Sequence, residues 1–394
     1  MRSPIHIVDA RFVPPAISIW LSTATTVLIG LQRNPVELIL VITIFGLGIP
    51  GVFWWHRRKH ISLSAIMRVV LGGALLGLVL SLTRILPIIH SPIIAQAQNH
   101  SITEFTATVT GDPAVSVRQD RLNWDNSQRV SMRIKLESVV SPTTMIVSKV
   151  PAYLFAGRYV AQYLALVPGT TFSANARLEP ATPGSPDATY LTALTAPRVI
   201  KGAPRYQWFA KALRDRLIKA LSHTPTDAQA LVPGLALGDT RSVSPELLKA
   251  MRTTGLTHLV AVSGANVTIL LALVFGALAR ASRKVRVTVA LFILCAFVIV
   301  VRPQPSVLRA AVMGLVLLIG ILGKQKTDAL NALAIAVVVL VTLDPLICAT
   351  YGFALSVFAT AGLLVASEKL RHLLFTCLPK SIPVWVVDGL VVTL

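Results

Sequence analysis

The chain has 394 residues, 54% of them hydrophobic and only 14% charged, with a mean hydropathy of +0.69. A soluble globular chain carries about 25% charged residues, so these figures exclude a disordered chain, a disulfide scaffold and an ordinary soluble enzyme. Its 37 lysines and arginines against 17 acids leave a net charge of +20, and in so apolar a chain that excess belongs in cytoplasmic loops before it belongs on a nucleic-acid surface.

Three apolar runs open the sequence, at residues 15–31, 36–55 and 66–82. No small-residue cleavage pattern follows the first and two more runs do, so it reads as a span and not as a signal peptide. A polar stretch at 96–203 separates these from runs at 256–279, 287–301, 306–322, 329–343, 347–365 and 382–394. A spanning helix takes about 20 predominantly apolar residues, which predicts a polytopic membrane protein. Clusters of bases (Arg57, Arg58, Lys59; Arg280, Arg283, Lys284, Arg286; Lys324, Lys326; Lys369, Arg371, Lys380) alternate with poor loops that hold Arg33, Arg302 or, at Asp344-Pro345, none. If every run spans, the rich loops share one side. That side is then the cytoplasm, and residues 96–203 lie outside.

The outer block has a β texture. Residues 101–110 and 128–140 alternate in part, 150–155 and 171–178 are shorter candidates, and Gly111-Asp112-Pro113, Pro168-Gly169 and Pro183-Gly184 mark turns. Such a set of short strands predicts a small closed barrel or a sandwich, between which periodicity does not choose. Residues 205–221 follow as a basic amphipathic helix. Phe209, Leu213, Leu217 and Leu221 form its stripe, Trp208 lies near its start, and Lys211, Arg214, Arg216 and Lys219 make the polar remainder. It has the composition of a helix lying in a membrane interface, and equally that of one packed on the barrel by its stripe. Thr226-Asp227-Ala228-Gln229 has capping-box spacing and opens a short helix that ends at Gly238-Asp239-Thr240. Ser244-Pro245 then offers an N-cap and N1 proline, and Gly255 a C′ glycine.

Within the run that starts at residue 256, Ser263, Asn266 and Thr268 are polar groups at membrane depth, where they face a partner helix or a water-filled path. His258 and Ser263 invite an intramembrane serine hydrolase, but five residues on a helix turn the two side chains about 140° apart. Arg302 and Arg309 flank the outer end of the 306–322 run; Arg309 either snorkels outward or lines a polyanion path. Asp344 reads as a plain helix end. The sequence holds no phosphate-cradling glycine loop, no histidine–aspartate metal cluster and no Cys-x-x-Cys pair, so no catalytic residue, metal or cofactor is assigned. A transporter of small-molecule or lipid-linked substrates is the alternative. It predicts interrupted helices in two related halves, which the sequence does not display.

The blocks Leu237-Gly238-Asp239, Ser244-Pro245-Glu246-Leu247, Thr254-Gly255-Leu256-Thr257-His258-Leu259 and Ser263-Gly264 occur here in order. With Pro305-Ser306-Val307-Leu308-Arg309-Ala310-Ala311-Val312-Met313 and Asp344-Pro345 before Gly352-Phe353-Ala354-Leu355-Ser356, they resemble the ComEC family of competence DNA-internalisation channels. Many members of that family have His at the position of Asn266 and Gln at that of Ala354. The resemblance implies a polytopic α-helical membrane protein of the bacterial inner membrane with an inserted extracytoplasmic OB-like β-barrel. Its parts would be three N-terminal transmembrane helices (1–95), the β domain (96–203), amphipathic and short interfacial helices (204–255) and a competence-type helix bundle (256–394). It further implies passage of single-stranded DNA, with Asp239, His258, Ser263, Asn266, Arg302 and Arg309 as path residues. The partners implied are single-stranded DNA and the lipid bilayer, with a DNA receptor, a cytoplasmic helicase or translocase and a second copy of the chain as further candidates. Full-length relatives continue into a metallo-β-lactamase-like domain, and this sequence stops at Leu394 within an apolar run. The expectation is therefore a truncated, split or partial member without nuclease activity.

Overall fold

The computed structural model describes residues 12–44, 65–117, 128–140, 145–239, 243, 245–255, 264–301, 303–325 and 328–377. Helices α1 (Val13–Leu31) and α3 (Ala65–Ile89) pack along their lengths, with α2 (Pro35–Thr43) between them in sequence. Small residues permit that approach: a Cβ on Gly77 would meet the Ile19 carbonyl oxygen and Thr23 Oγ1, each at 2.7 Å. The Thr23 hydroxyl donates to the Gly77 carbonyl at 3.2 Å, and the buried Ser22 and Thr26 hydroxyls also donate to backbone carbonyls. Polar groups inside the pair are thus satisfied without water. Asn34 caps α2, accepting from the Val36 N–H, and Pro35 stands at N1.

After α4 (Ile93–Gln98), the chain builds β1 (Ile102–Val109), β2 (Ala114–Val117), β3 (Gln128–Val140), β4 (Met145–Val147), β5 (Pro151–Ala156), α5 (Val160–Leu164), β6 (Thr171–Pro180), β7 (Thr189–Ala193) and β8 (Arg198–Lys201). Five strands close on themselves. β1 pairs β3, β3 pairs β5, β7 pairs β6 and β6 pairs β1, all antiparallel, while β5 and β7 run parallel with Tyr153 opposite Tyr190. That last β6–β1 ladder makes the domain a barrel and not a sandwich. β2 and β4 lengthen the sheet beside β3, and β8 adds to β6. Inward positions alternate along each strand: Ala152, Leu154 and Ala156 are buried on β5, with Phe105, Met132, Leu136, Phe172 and Leu178 from the neighbours. Tyr163 of α5 fills one end. It is wholly buried edge-on to Phe172, and its hydroxyl donates to the Thr195 carbonyl at 2.9 Å, so burial pushes its phenol well above the ordinary range.

The barrel stands on particular helix ends. Ile88 of α3 and Ile93 of α4 belong to its core, and Leu346 packs against that core. The Gly184 N–H donates to the last carbonyl of α1, that of Leu31, at 2.9 Å. Arg33 donates to the Asp187 and Ala188 carbonyls at 3.3 and 3.2 Å. These are the ends whose loops carry few bases.

The remaining helices are α6 (Arg205–Ala220), α7 (Thr226–Leu237), α8 (Pro245–Thr253), α9 (Gly264–Ala277), α10 (Arg283–Val301), α11 (Pro305–Gly323), α12 (Ala329–Leu343) and α13 (Tyr351–Cys377). Helices α9, α10 and α11 meet at Gly314, where an added Cβ would lie 3.4 to 3.7 Å from Leu271, Leu294 and Val267. A second apolar cluster joins α1, α12 and α13 around Trp20, Leu333, Val337 and Phe353. Among the described residues, α1, α3, α10 and α11 are long and apolar enough to cross a membrane; α9, α12 and the 351–366 part of α13 are shorter apolar helices.

Three sequence expectations change. The run at 347–365 is not one helix, because Asp344 accepts from the Leu346 N–H and caps a 3₁₀ turn, Pro345–Ala349, before α13 begins. Thr226 does not cap α7: Pro225 is the N-cap, and Gln229 donates to the Ser222 and Thr224 carbonyls instead. The stripe of α6 does not pack on the barrel, since Ala210 and Arg214 form its buried face while Phe209 and Leu213 are exposed. The run at 382–394 lies outside the described residues.

Candidate functional site

Arg309 lies one turn into α11, about 6 Å along the axis at 1.5 Å per residue. Its side chain is 6% exposed, so it is turned into the bundle and does not snorkel. Nε donates to Ser356 Oγ of α13 at 2.9 Å, and Nη1 approaches Met313 Sδ at 3.6 Å. Nη2 lies 3.9 Å from where a Cβ on Gly264 would stand, so the guanidinium meets the first residue of α9. Among the described residues, no carboxylate pairs with it. A cation held between apolar helices with a hydroxyl and a thioether, and no acid, keeps unspent attraction for an anion.

Asn266 stands on the first turn of α9, and its Nδ2 donates to the Leu235 carbonyl of α7 at 3.2 Å. That bond joins α9 to the last turn of α7, just before the Gly-Asp loop. Gly238 ends α7 with φ +69°, a left-handed conformation that suits glycine, and Asp239 N–H then donates to the Pro233 carbonyl at 3.1 Å. Thr268 Oγ1 returns to the Gly264 carbonyl of its own helix at 3.2 Å. The structure sets Arg309 against Gly264 of α9, while Asn266, about 200° further round the same helix, faces α7; Asp239 lies in the loop that follows α7. His258, Ser263 and Arg302 lie outside the described residues.

Sequence reasoning missed Ser356 and Met313 as partners of Arg309. Met313 was open to discovery by its i, i+4 spacing; Ser356 is 47 residues away and no periodicity reaches it. It also put Arg214 on a polar face. The side chain is 3% exposed, and Nη1 donates to the Val300 carbonyl at the end of α10, 3.2 Å away.

A second surface lies on the barrel's outer side. Tyr153 and Phe155 of β5 and Tyr190 of β7 form a continuous row, with ring centroids 5.0 and 6.0 Å apart. Arg133 is paired across from Tyr153, and Arg177 is paired across from Thr192, the next outward residue of β7. The neighbouring Asp187 is buried, which pushes its carboxyl up, while Arg133 and a bond from Ser185 oppose that rise. Among the described residues, no three His, Cys, Asp or Glu side chains gather as a metal site.

Residues 235–392 match the family model for competence protein. The segment resembles a competence-family domain over less than half of the chain. Among curated proteins, ComE operon protein 3 of Bacillus subtilis (strain 168) is 32% identical over 166 residues, covering 41% of this chain and 21% of that protein. No solved structure matches. The matched segment begins at Leu235, the residue whose carbonyl Asn266 holds, and contains Arg309 and Ser356.

Proposed function

We propose that the chain is an inner-membrane channel component that passes single-stranded DNA into the cytoplasm during natural transformation, carrying the strand without bond chemistry of its own. The observation that carries this reading is the buried Arg309 guanidinium, which lies within the matched segment and has, among the described residues, a hydroxyl and a sulfur but no acid as partners. A passing phosphate would supply the missing counter-charge, and the positive end of α11, one turn away, favours the same ligand.

The barrel supports the reading. With the five barrel strands numbered in chain order, the first pairs the second, the third pairs the fifth in parallel and a helix joins the third to the fourth, an OB-like arrangement. The second and third strands of such folds bind oligonucleotides. Here β3 and β5 present Arg133, Tyr153 and Phe155, and a row of rings edged by cations is what stacks and tracks a single strand. Sidedness follows from charge: the barrel touches helix ends with base-poor loops, so the base-rich loops face the cytoplasm and the barrel lies outside.

The test is uptake by cells carrying Arg309→Ala at a membrane level equal to that of the parent. Loss of internalised DNA is expected; normal transformation would remove Arg309 from the path.

A further inference from the structure

Helix α6 turns the wrong face outward for a soluble protein. Its packed side holds Ala210 and Arg214, and Arg214 fixes it to the Val300 carbonyl in the last turn of α10. Leu237 of the adjoining α7 packs at the same end, against Val301 and Val307. The opposite arc exposes Tyr206, Trp208, Phe209 and Leu213, with Phe209 68% accessible, and interleaves them with exposed Arg205, Arg216 and Lys219. The one acid of the helix, Asp215, stands at the edge of that arc beneath Trp208 and is neutralised by Lys211 at 2.8 Å. An arc of aromatic rings and cations with no unpaired acid does not suit water, and its cations do not suit an apolar protein partner. Both kinds of group are favoured at one depth, the headgroup layer, where rings lie at the acyl boundary and long basic side chains reach phosphate. The end of α10, an apolar 19-residue helix able to cross a membrane, holds α6 at that depth.

We propose that α6 is an in-plane anchor: its Tyr206–Leu213 face lies in the outer headgroup layer and takes anionic phospholipid, fixing the barrel's height above the bundle. This rests on the reading that the chain spans a membrane. The test is site-directed spin labelling of the full chain reconstituted in vesicles of phosphatidylcholine, with or without phosphatidylglycerol, after the three native cysteines are replaced by alanine. Labels go on Phe209→Cys and Leu213→Cys, with Lys201→Cys on β8 as the aqueous reference and Leu317→Cys on α11 as the membrane reference. Collisions with a water-soluble nickel chelate should be several-fold rarer at 209 and 213 than at 201, and rarer still when phosphatidylglycerol is present. An aqueous profile at 209 and 213 with a buried one at 317 would overturn the anchor alone. An aqueous profile at 317 as well would overturn the spanning reading and the anchor with it.

Discussion

Replacing Arg309 with methionine separates a path residue from a structural one. The substitution keeps length and flexibility and removes the charge. Placing an arginine at the centre of a membrane helix costs about 2.5–3.5 kcal/mol on insertion scales, which is an upper bound for Arg309, one turn from the end of α11. A hydrogen bond from a charged donor, as to Ser356 at 2.9 Å, returns roughly 1.5–3 kcal/mol, and the Met313 sulfur adds little. The sum lies between about zero and 2 kcal/mol against the native residue, so Arg309→Met should melt at the parent temperature or a few degrees above it. Loss of a charge-assisted phosphate contact of the same roughly 1.5–3 kcal/mol corresponds to about a ten- to hundredfold loss of transit. The assay pairs thermal unfolding of purified protein in detergent with uptake of labelled DNA by cells carrying the variant. A protein destabilised by more than about 2 kcal/mol, with uptake falling only in step with surviving protein, would show that Arg309 braces α11 against α13 and serves no ligand.

Three further outcomes are expected. Tyr153→Ala and Phe155→Ala in the full chain should each weaken single-stranded DNA binding about 5- to 100-fold, from about 1–3 kcal/mol of stacking per base; unchanged anisotropy titrations would clear the barrel face of that role. Gly77→Ala should cost about 1–3 kcal/mol by overpacking, because its methyl would meet the Ile19 carbonyl, whereas Gly72→Ala, with nothing within 4 Å, should melt like the parent. Asp187 is held above its usual value by burial, so its folded form prefers the proton. That contribution is full below the unfolded value near 4 and is lost as pH rises through the raised one. Asp187→Asn should therefore raise the melting point at pH 7 and make little difference near pH 3; an equal effect at both would mean that the amide changes packing and not charge.

Much of the barrel is visible in local pattern, and its closure is not. β3 spans the 128–140 stretch marked by alternation, and β1, β5 and β6 fall within two residues of their expected bounds. The short β7 and β8, five and four residues long, lie among alanines, threonines and prolines that give no alternation. The choice of barrel over sandwich depends on the β6–β1 ladder, which pairs residues about seventy positions apart. Arg309 and Asn266 stand out in sequence because each is polar in an apolar run. Arg214 misleads for the same reason: a helical wheel assigns every arginine to water, and only the Val300 carbonyl shows otherwise.

What sets Arg309 apart becomes plain beside the other arginines whose bonds are seen at the barrel end. Arg214 donates to Val300 and Arg84 donates to Leu343 at 3.3 Å, the closing carbonyls of α10 and α12. Arg33 donates to two carbonyls of the loop before β7. Helix C-termini leave carbonyls unpaired and carry the negative end of the dipole, so a cation there repairs a backbone defect. Arg309 has no such employment. It sits in the first turns of α11, where the helix dipole repels it, faces Gly264 of α9, and has a hydroxyl and a sulfur as its partners. Capping does not account for a charge in that place, and a solvent-seeking side chain would not be buried there. An anion arriving between α9, α11 and α13 would be drawn by the guanidinium and by the start of α11 at once, and under the proposed function that is the service a phosphate backbone needs on its way through.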